Sequence, residues 1–134
     1  GIRDIGVTGV QTCALPILII DDSMVSIQMT AGYVQLNNQC DISVATSGEE
    51  VFELFDKITP QIVLLDVKMP EIDGFDICRE IKGNSSWANA PVIFLSASND
   101  QQHIDKAFEV GGSDYLMKPI DTDILNQTVK KYLI

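Results

Sequence analysis

Three unbroken runs of four apolar residues punctuate the chain: Ile17-Leu18-Ile19-Ile20, Ile62-Val63-Leu64-Leu65 and Val92-Ile93-Phe94-Leu95. Runs of this length, without polar alternation, are the pattern of strands buried on both faces. Ile42-Ser43-Val44 predicts a further strand between the first two runs, and Asp114-Tyr115-Leu116-Met117 a fifth after the last. Helical spacing fills the gaps. From Met24 to about Asn38, Val25, Met29, Val34 and Leu36 mark a first helix, with these apolar positions expected to face the core. Ser47 with Glu50 forms a capping box that opens a second helix through Val51, Leu54, Phe55 and Ile58, stopped by Pro60. A third carries Phe75, Ile77, Cys78 and Ile81 and breaks at Gly83-Asn84-Ser85-Ser86. Asp100 caps a fourth through Ile104, Ala107 and Phe108, which ends at Gly111-Gly112. The fifth starts near Asp121 and runs through Ile124, Leu125, Val129 and Leu133. Strand and helix alternate five times, which implies an α/β fold with one doubly wound parallel sheet.

Composition narrows the function. The 134 residues are 46% apolar, enough for one domain with a substantial core, and 19 acidic against 9 basic residues give a net charge of −10. That balance argues against direct binding to nucleic acid or to an anionic membrane surface, both of which need a basic footprint. No apolar run approaches the roughly 20 residues that span a bilayer. Cys13, Cys40 and Cys78 are odd in number and form no C-x-x-C pair, so neither a disulfide framework nor a zinc site is expected, and a cytoplasmic setting is.

Gly1 to Ile17 stands apart, because its glycines match no turn and it has neither helical nor strand periodicity. Val7 to Ile17 resembles the translation of a common sequencing adapter. Residues 1–17 are therefore expected to be non-native, and residues 18–134 to hold the domain. Pro16 would then stand near the start of the first strand, where proline is tolerated.

In a doubly wound sheet the functional crevice lies at the carboxyl ends of the strands. Read in turn, those ends are Asp21 and Asp22, then Asp66, Ser96 and Lys118. Three close carboxylates resist ionising together unless a cation neutralises them, and an oxygen-only set suits a hard ion such as Mg2+. Lys118 adds a fixed positive charge and Ser96 a small hydrogen-bond donor. The set is that of phosphoryl transfer, where positioning and charge neutralisation carry the chemistry.

Leu18-Ile19-Ile20-Asp21-Asp22-Ser23, Leu64 to Gly74 (LLDVKMPEIDG), Leu95-Ser96-Ala97 and Gly111 to Pro119 (GGSDYLMKP) together resemble the response-regulator receiver domains of two-component signalling, the CheY-like fold. The resemblance implies a five-stranded flavodoxin-like sheet of order 2-1-3-4-5. It implies that Asp66 accepts a phosphoryl group from a sensor histidine kinase or phosphotransfer protein. It implies Mg2+ on Asp21, Asp22, Asp66 and the backbone carbonyl of Lys68, with Lys118 and Ser96 on the phosphoryl oxygens. Tyr115 would turn inward as Ser96 moves, Ala97 would leave room for the donor, and the Lys118-Pro119 bond would be cis. The face of the fourth helix, fifth strand and fifth helix would contact an output domain or a second receiver. Such a protein catalyses only its own phosphorylation and dephosphorylation and is not an enzyme in the usual sense. Two other classes compete: a receiver that binds partners without being phosphorylated, and an aspartyl-phosphate phosphatase. The latter needs an acid two residues after its nucleophile, where this chain has Lys68. Outside the site, His103 is expected to be solvated, Trp87 to cover the sheet edge, and Cys40 and Cys78 to act as small hydrophobes.

Overall fold

The computed structural model describes residues 15–37, 40–69 and 71–132. Five strands and five helices alternate: β1 (Leu15–Ile20), α1 (Met24–Asn37), β2 (Cys40–Ala45), α2 (Gly48–Leu54), β3 (Ile62–Asp66), α3 (Gly74–Gly83), β4 (Val92–Ser96), α4 (Gln101–Glu109), β5 (Asp114–Met117) and α5 (Thr122–Tyr132). All neighbouring strands are parallel and the sheet order is β2-β1-β3-β4-β5, as the resemblance implies. Expectations for residues 1–14, including Cys13, and for the side chains of Leu36, Cys40, Pro70 and Leu133 lie outside what is described. β1 begins at Leu15, so residues 15–17 of the atypical leader pair with Cys40, Asp41 and Ile42 of β2.

The strand period of two sorts the core into layers. Leu18, Ile20, Val63, Leu65 and Phe94 pack with Val51, Phe75, Ile77, Ile81 and Ala107 from α2, α3 and α4. Ile17, Ile19, Ile62, Leu64, Ile93 and Leu95 pack with Ile27, Val34, Leu125 and Val129 from α1 and α5. Both faces of β3 and β4 are thus covered, which is why their sequences carry no polar alternation.

The helices correct several readings. In α1, Val25 and Met29 are exposed at 67% and 51%, and the buried positions are Ile27, Thr30 and Val34. α1 is apolar on most of its circumference, so spacing alone places Val34 correctly and Val25 and Met29 wrongly. Phe108 and Ile124 also face out. α2 stops at Leu54, because the Phe55 amide bonds back to the Phe52 carbonyl and tightens the last turn. Trp87 is not an edge cover but fully buried: its Nε1 donates to the Ile58 carbonyl at 2.8 Å and its ring meets Phe55 edge-on at 4.7 Å. Cys78 is a small buried hydrophobe whose thiol is pushed up to about 11 by burial. Among the described residues, no helix is long and apolar enough to cross a membrane.

Candidate functional site

The site grows from the tips of β1, β3 and β5. Beyond β1, the Asp21 amide donates to the Ala45 carbonyl of β2 at 3.1 Å, which holds the acid at the sheet end. Its Oδ1 accepts from the Ser23 amide at 2.9 Å, and Ser23 Oγ in turn accepts from Ser26 in the first turn of α1. Ser23 therefore caps the helix and leaves Asp21 Oδ2 free to face inward. Asp21 is 3% exposed, whereas Asp22 is exposed at the rim. Asp66, the last residue of β3, is 7% exposed.

The loop after β3 is held against Asp66 by Gly74. Its amide donates to the Val67 carbonyl at 2.8 Å, and a Cβ there would stand 2.3 Å from the Asp66 carbonyl oxygen. Only glycine fits this close approach of two backbones. Asp73 then caps α3 by accepting from the Asp76 amide.

Lys118 closes the site. The peptide bond to Pro119 is cis, and Nζ lies 3.3 Å from both Asp21 Oδ2 and Asp66 Oδ1. One oxygen from each of Asp21, Asp22 and Asp66 falls within 4.8 Å of the others. Three carboxylates against one ammonium leave two negative charges uncompensated, which a divalent cation would balance. The electrostatics carry the same signature. Burial holds the Asp66 carboxyl above its usual range; Lys118 opposes this, and Asp21 and Asp22 reinforce it. Burial disfavours the Lys118 ammonium, but Asp66 and Asp21 outweigh it and raise its value. The two directions agree physically, because a lone cation among several anions is over-stabilised while each anion remains under-compensated. The donor set fits a hard, oxygen-liking ion.

The other half of the rim is neutral. Ser96, ending β4, is 2% exposed, and its Oγ accepts from the Ser98 amide at 3.1 Å. That bond occupies a lone pair and leaves the hydroxyl hydrogen available. The Lys118 amide donates to the Ser96 carbonyl, which ties the tips of β4 and β5 together. Tyr115 is half-buried, and its hydroxyl donates to the Ser98 carbonyl at 2.7 Å. Ala97 is exposed at the loop start. The Lys68 side chain is exposed and, with Asp22, Met69, Asp73, Phe75 and His103, lines a cavity of about 450 Å³ beside the carboxylates.

Every sequence-predicted site residue thus lies on this rim, with Asp21, Asp66 and Lys118 in direct contact. Ser98 and His103 were not among them. His103 is not simply solvated: its Nδ1 and Ser98 Oγ share a hydrogen bond of 2.8 Å. The sequence offers little signal for this beyond Ser98 and Asp100 preceding a helix start.

Residues 17–130 match the family model described as the response regulator receiver domain. Protein PilG of Pseudomonas aeruginosa is 32% identical over 123 residues, covering 92% of this chain and 90% of that protein. A probable cyclic di-GMP phosphodiesterase of Vibrio cholerae is 35% identical over 87% of this chain, yet the match spans only 26% of its own length. Among solved structures, a putative response regulator from Chloroflexus aurantiacus superposes with a TM-score of 0.82 at 30% identity, over 88% of this chain and 96% of that one.

Proposed function

The chain belongs to the response regulator receiver domain family of two-component signalling, and from that premise we propose that Asp66 is its phosphoacceptor. The observation that carries this reading is Lys118 Nζ lying 3.3 Å from both Asp66 and Asp21 at the buried tip of β3. A carboxylate oxygen of Asp66 attacks the phosphorus of a phosphohistidine on a sensor kinase or phosphotransfer protein. The new O–P bond forms as the N–P bond breaks, and the imidazole leaves with its electron pair and takes up a proton. Lys118 moves its charge from the carboxylate toward a phosphoryl oxygen, and Ser96 donates its free hydroxyl hydrogen to another. Ala97, small and exposed, leaves the donor's approach open.

Mg2+ is the ion we assign to the carboxylates, held by Asp21, Asp22, Asp66 and the Lys68 carbonyl, and it supplies neutralisation of charge on the transferring group. Tyr115 and Ser96 form the switch, since both meet Ser98. Phosphorylation adds close to two negative charges at Asp66. A preference for one arrangement of these residues would then reach the face made by α4, β5 and α5, where we place the contact with an output domain or a second receiver. Some relatives carry the matched region as 26% or 48% of a longer chain, whereas it is 90% of PilG, so that the family includes both attached and separate partners for this face.

Acetyl phosphate with Mg2+ tests the reading. Wild type should acquire an acid-stable, base-labile phosphoryl group, and Asp66→Asn should acquire none. Equal labelling of Asp66→Asn would reject the assignment and leave a module that only binds partners.

A further inference from the structure

Ser98 is the junction of the neutral half-site. Its amide holds Ser96 Oγ, its carbonyl holds the Tyr115 hydroxyl, and its own Oγ accepts from the Asp100 amide at 3.1 Å. Both side chains assigned to the switch are therefore aimed by the backbone of one loop residue. What fixes that residue from outside the loop is His103, through the 2.8 Å bond between Nδ1 and Ser98 Oγ.

His103 is itself anchored. Its ring stacks on Phe75 with centroids 6.2 Å apart and planes 23° from parallel, and the Lys106 ammonium lies 4.9 Å from the centre of the same Phe75 ring. Phe75 is 4% exposed and packs on Phe94 of β4. It also follows Gly74, whose amide holds the loop next to Asp66. The imidazole thus stands on α4, rests on α3 and grips the loop between β4 and α4.

We propose that His103 is a positioning residue for the phosphorylation switch, one that acts through Ser98 to hold Ser96 and Tyr115 in their bonded arrangement and to make that arrangement depend on the seat of α4. The inference rests on Asp66 being the phosphoacceptor. Neither ring nitrogen of His103 needs to touch the phosphoryl group. Its contribution is to reduce the ordering that binding would otherwise require.

Beryllofluoride with Mg2+, a mimic of a phosphoryl group on a carboxylate, reads this directly when titrated into the full chain by amide NMR. Relative to wild type, His103→Ala should bind about 10-fold more weakly, a coupling of ordinary size between linked groups. Ser98→Ala, which keeps the backbone bonds and loses Oγ, should weaken binding by a similar factor. The double variant should lose less than the product of the two single losses, because both singles remove the His103–Ser98 bond, while Ser98→Ala also removes the acceptor of the Asp100 amide. His103→Asn, which can present a polar atom near the Nδ1 position, should stay within about 3-fold of wild type. A purely structural role would lower the melting midpoint without moving the affinity and would show no rescue by Asn. Unchanged affinity in His103→Ala, or losses that multiply in the double variant, would overturn the proposal while leaving Asp66 as phosphoacceptor. Wild type that takes up no beryllofluoride would reject the phosphoacceptor reading itself, and this inference with it.

Discussion

The two halves of the site rim solve opposite problems. At the tips of β1 and β3, Asp21, Asp22 and Asp66 crowd together around a single ammonium, and burial pushes the Asp66 carboxyl up. At the tips of β4 and β5, Ser96, Ser98 and Tyr115 are joined by hydrogen bonds of 2.7 to 3.1 Å between groups that carry no charge. The first half holds an unmet electrostatic demand, and the second holds an uncharged relay that still has the Ser96 hydroxyl hydrogen to give. Lys118 links them, since its side chain serves the carboxylates while its backbone amide serves Ser96. Binding energy should therefore come mainly from the acidic half, and the readout of binding from the neutral half.

Substitutions should separate the two. The largest effect is expected from Gly74→Ala, because a Cβ would stand 2.3 Å from the Asp66 carbonyl oxygen and 2.9 Å from Val67 Cα, both of them backbone atoms. Neither can yield without moving the loop beside Asp66. A loss of about 3 kcal/mol in chemical denaturation, at the upper end for overpacking, is the expected outcome.

Divalent cation should act on the acidic half alone. At tenfold excess over its Kd, Mg2+ stabilises by about 1.4 kcal/mol through mass action, or about 4–5 °C in thermal melts of a domain this size. Asp22→Ala should lose this gain, and Tyr115→Phe should keep it.

The pH dependence has a definite sign. The Asp66 carboxyl is raised in the folded state, so its contribution to stability is present when it is protonated and is lost as pH rises through the raised value. Without divalent cation, Asp66→Asn should therefore melt above wild type at pH 7. The gap should close as pH falls below the ordinary carboxylate range. A variant that melts lower at neutral pH would show that Lys118 more than compensates for burial. The smallest effect belongs to the neutral half: Tyr115→Phe removes one uncharged hydrogen bond, worth about 1 kcal/mol in denaturant titration.

Much of this architecture is legible in the sequence, for identifiable reasons. Strands covered on both faces must be apolar at every position, so Ile62 to Leu65 declare β3 and place Asp66 at its end. The sheet then brings Asp21, Asp66 and Lys118 together, because parallel strands put their carboxyl ends on one rim. Less is legible where a signal is local but the cause is not. α1 shows apolar residues around most of its surface, so spacing points to Val25 and Met29 as well as Val34, while the fold buries Val34 with Ile27 and exposes the other two. Trp87 is fixed by the carbonyl of Ile58, 29 residues earlier. Ser98 and His103 are five apart and straddle a helix start, a spacing that carries no meaning until α4 turns the imidazole back over the loop.

The central claim is that the charge-imbalanced cluster delivers a phosphoryl group to one particular carboxylate. Borohydride converts an aspartyl phosphate to homoserine, so reduction after acetyl phosphate treatment, followed by peptide mass spectrometry, identifies the modified residue. The expected result is homoserine at Asp66, dependent on Mg2+ and strongly diminished in Lys118→Ala. Homoserine at Asp21 or Asp22, or none anywhere in a protein that melts cooperatively, would contradict it.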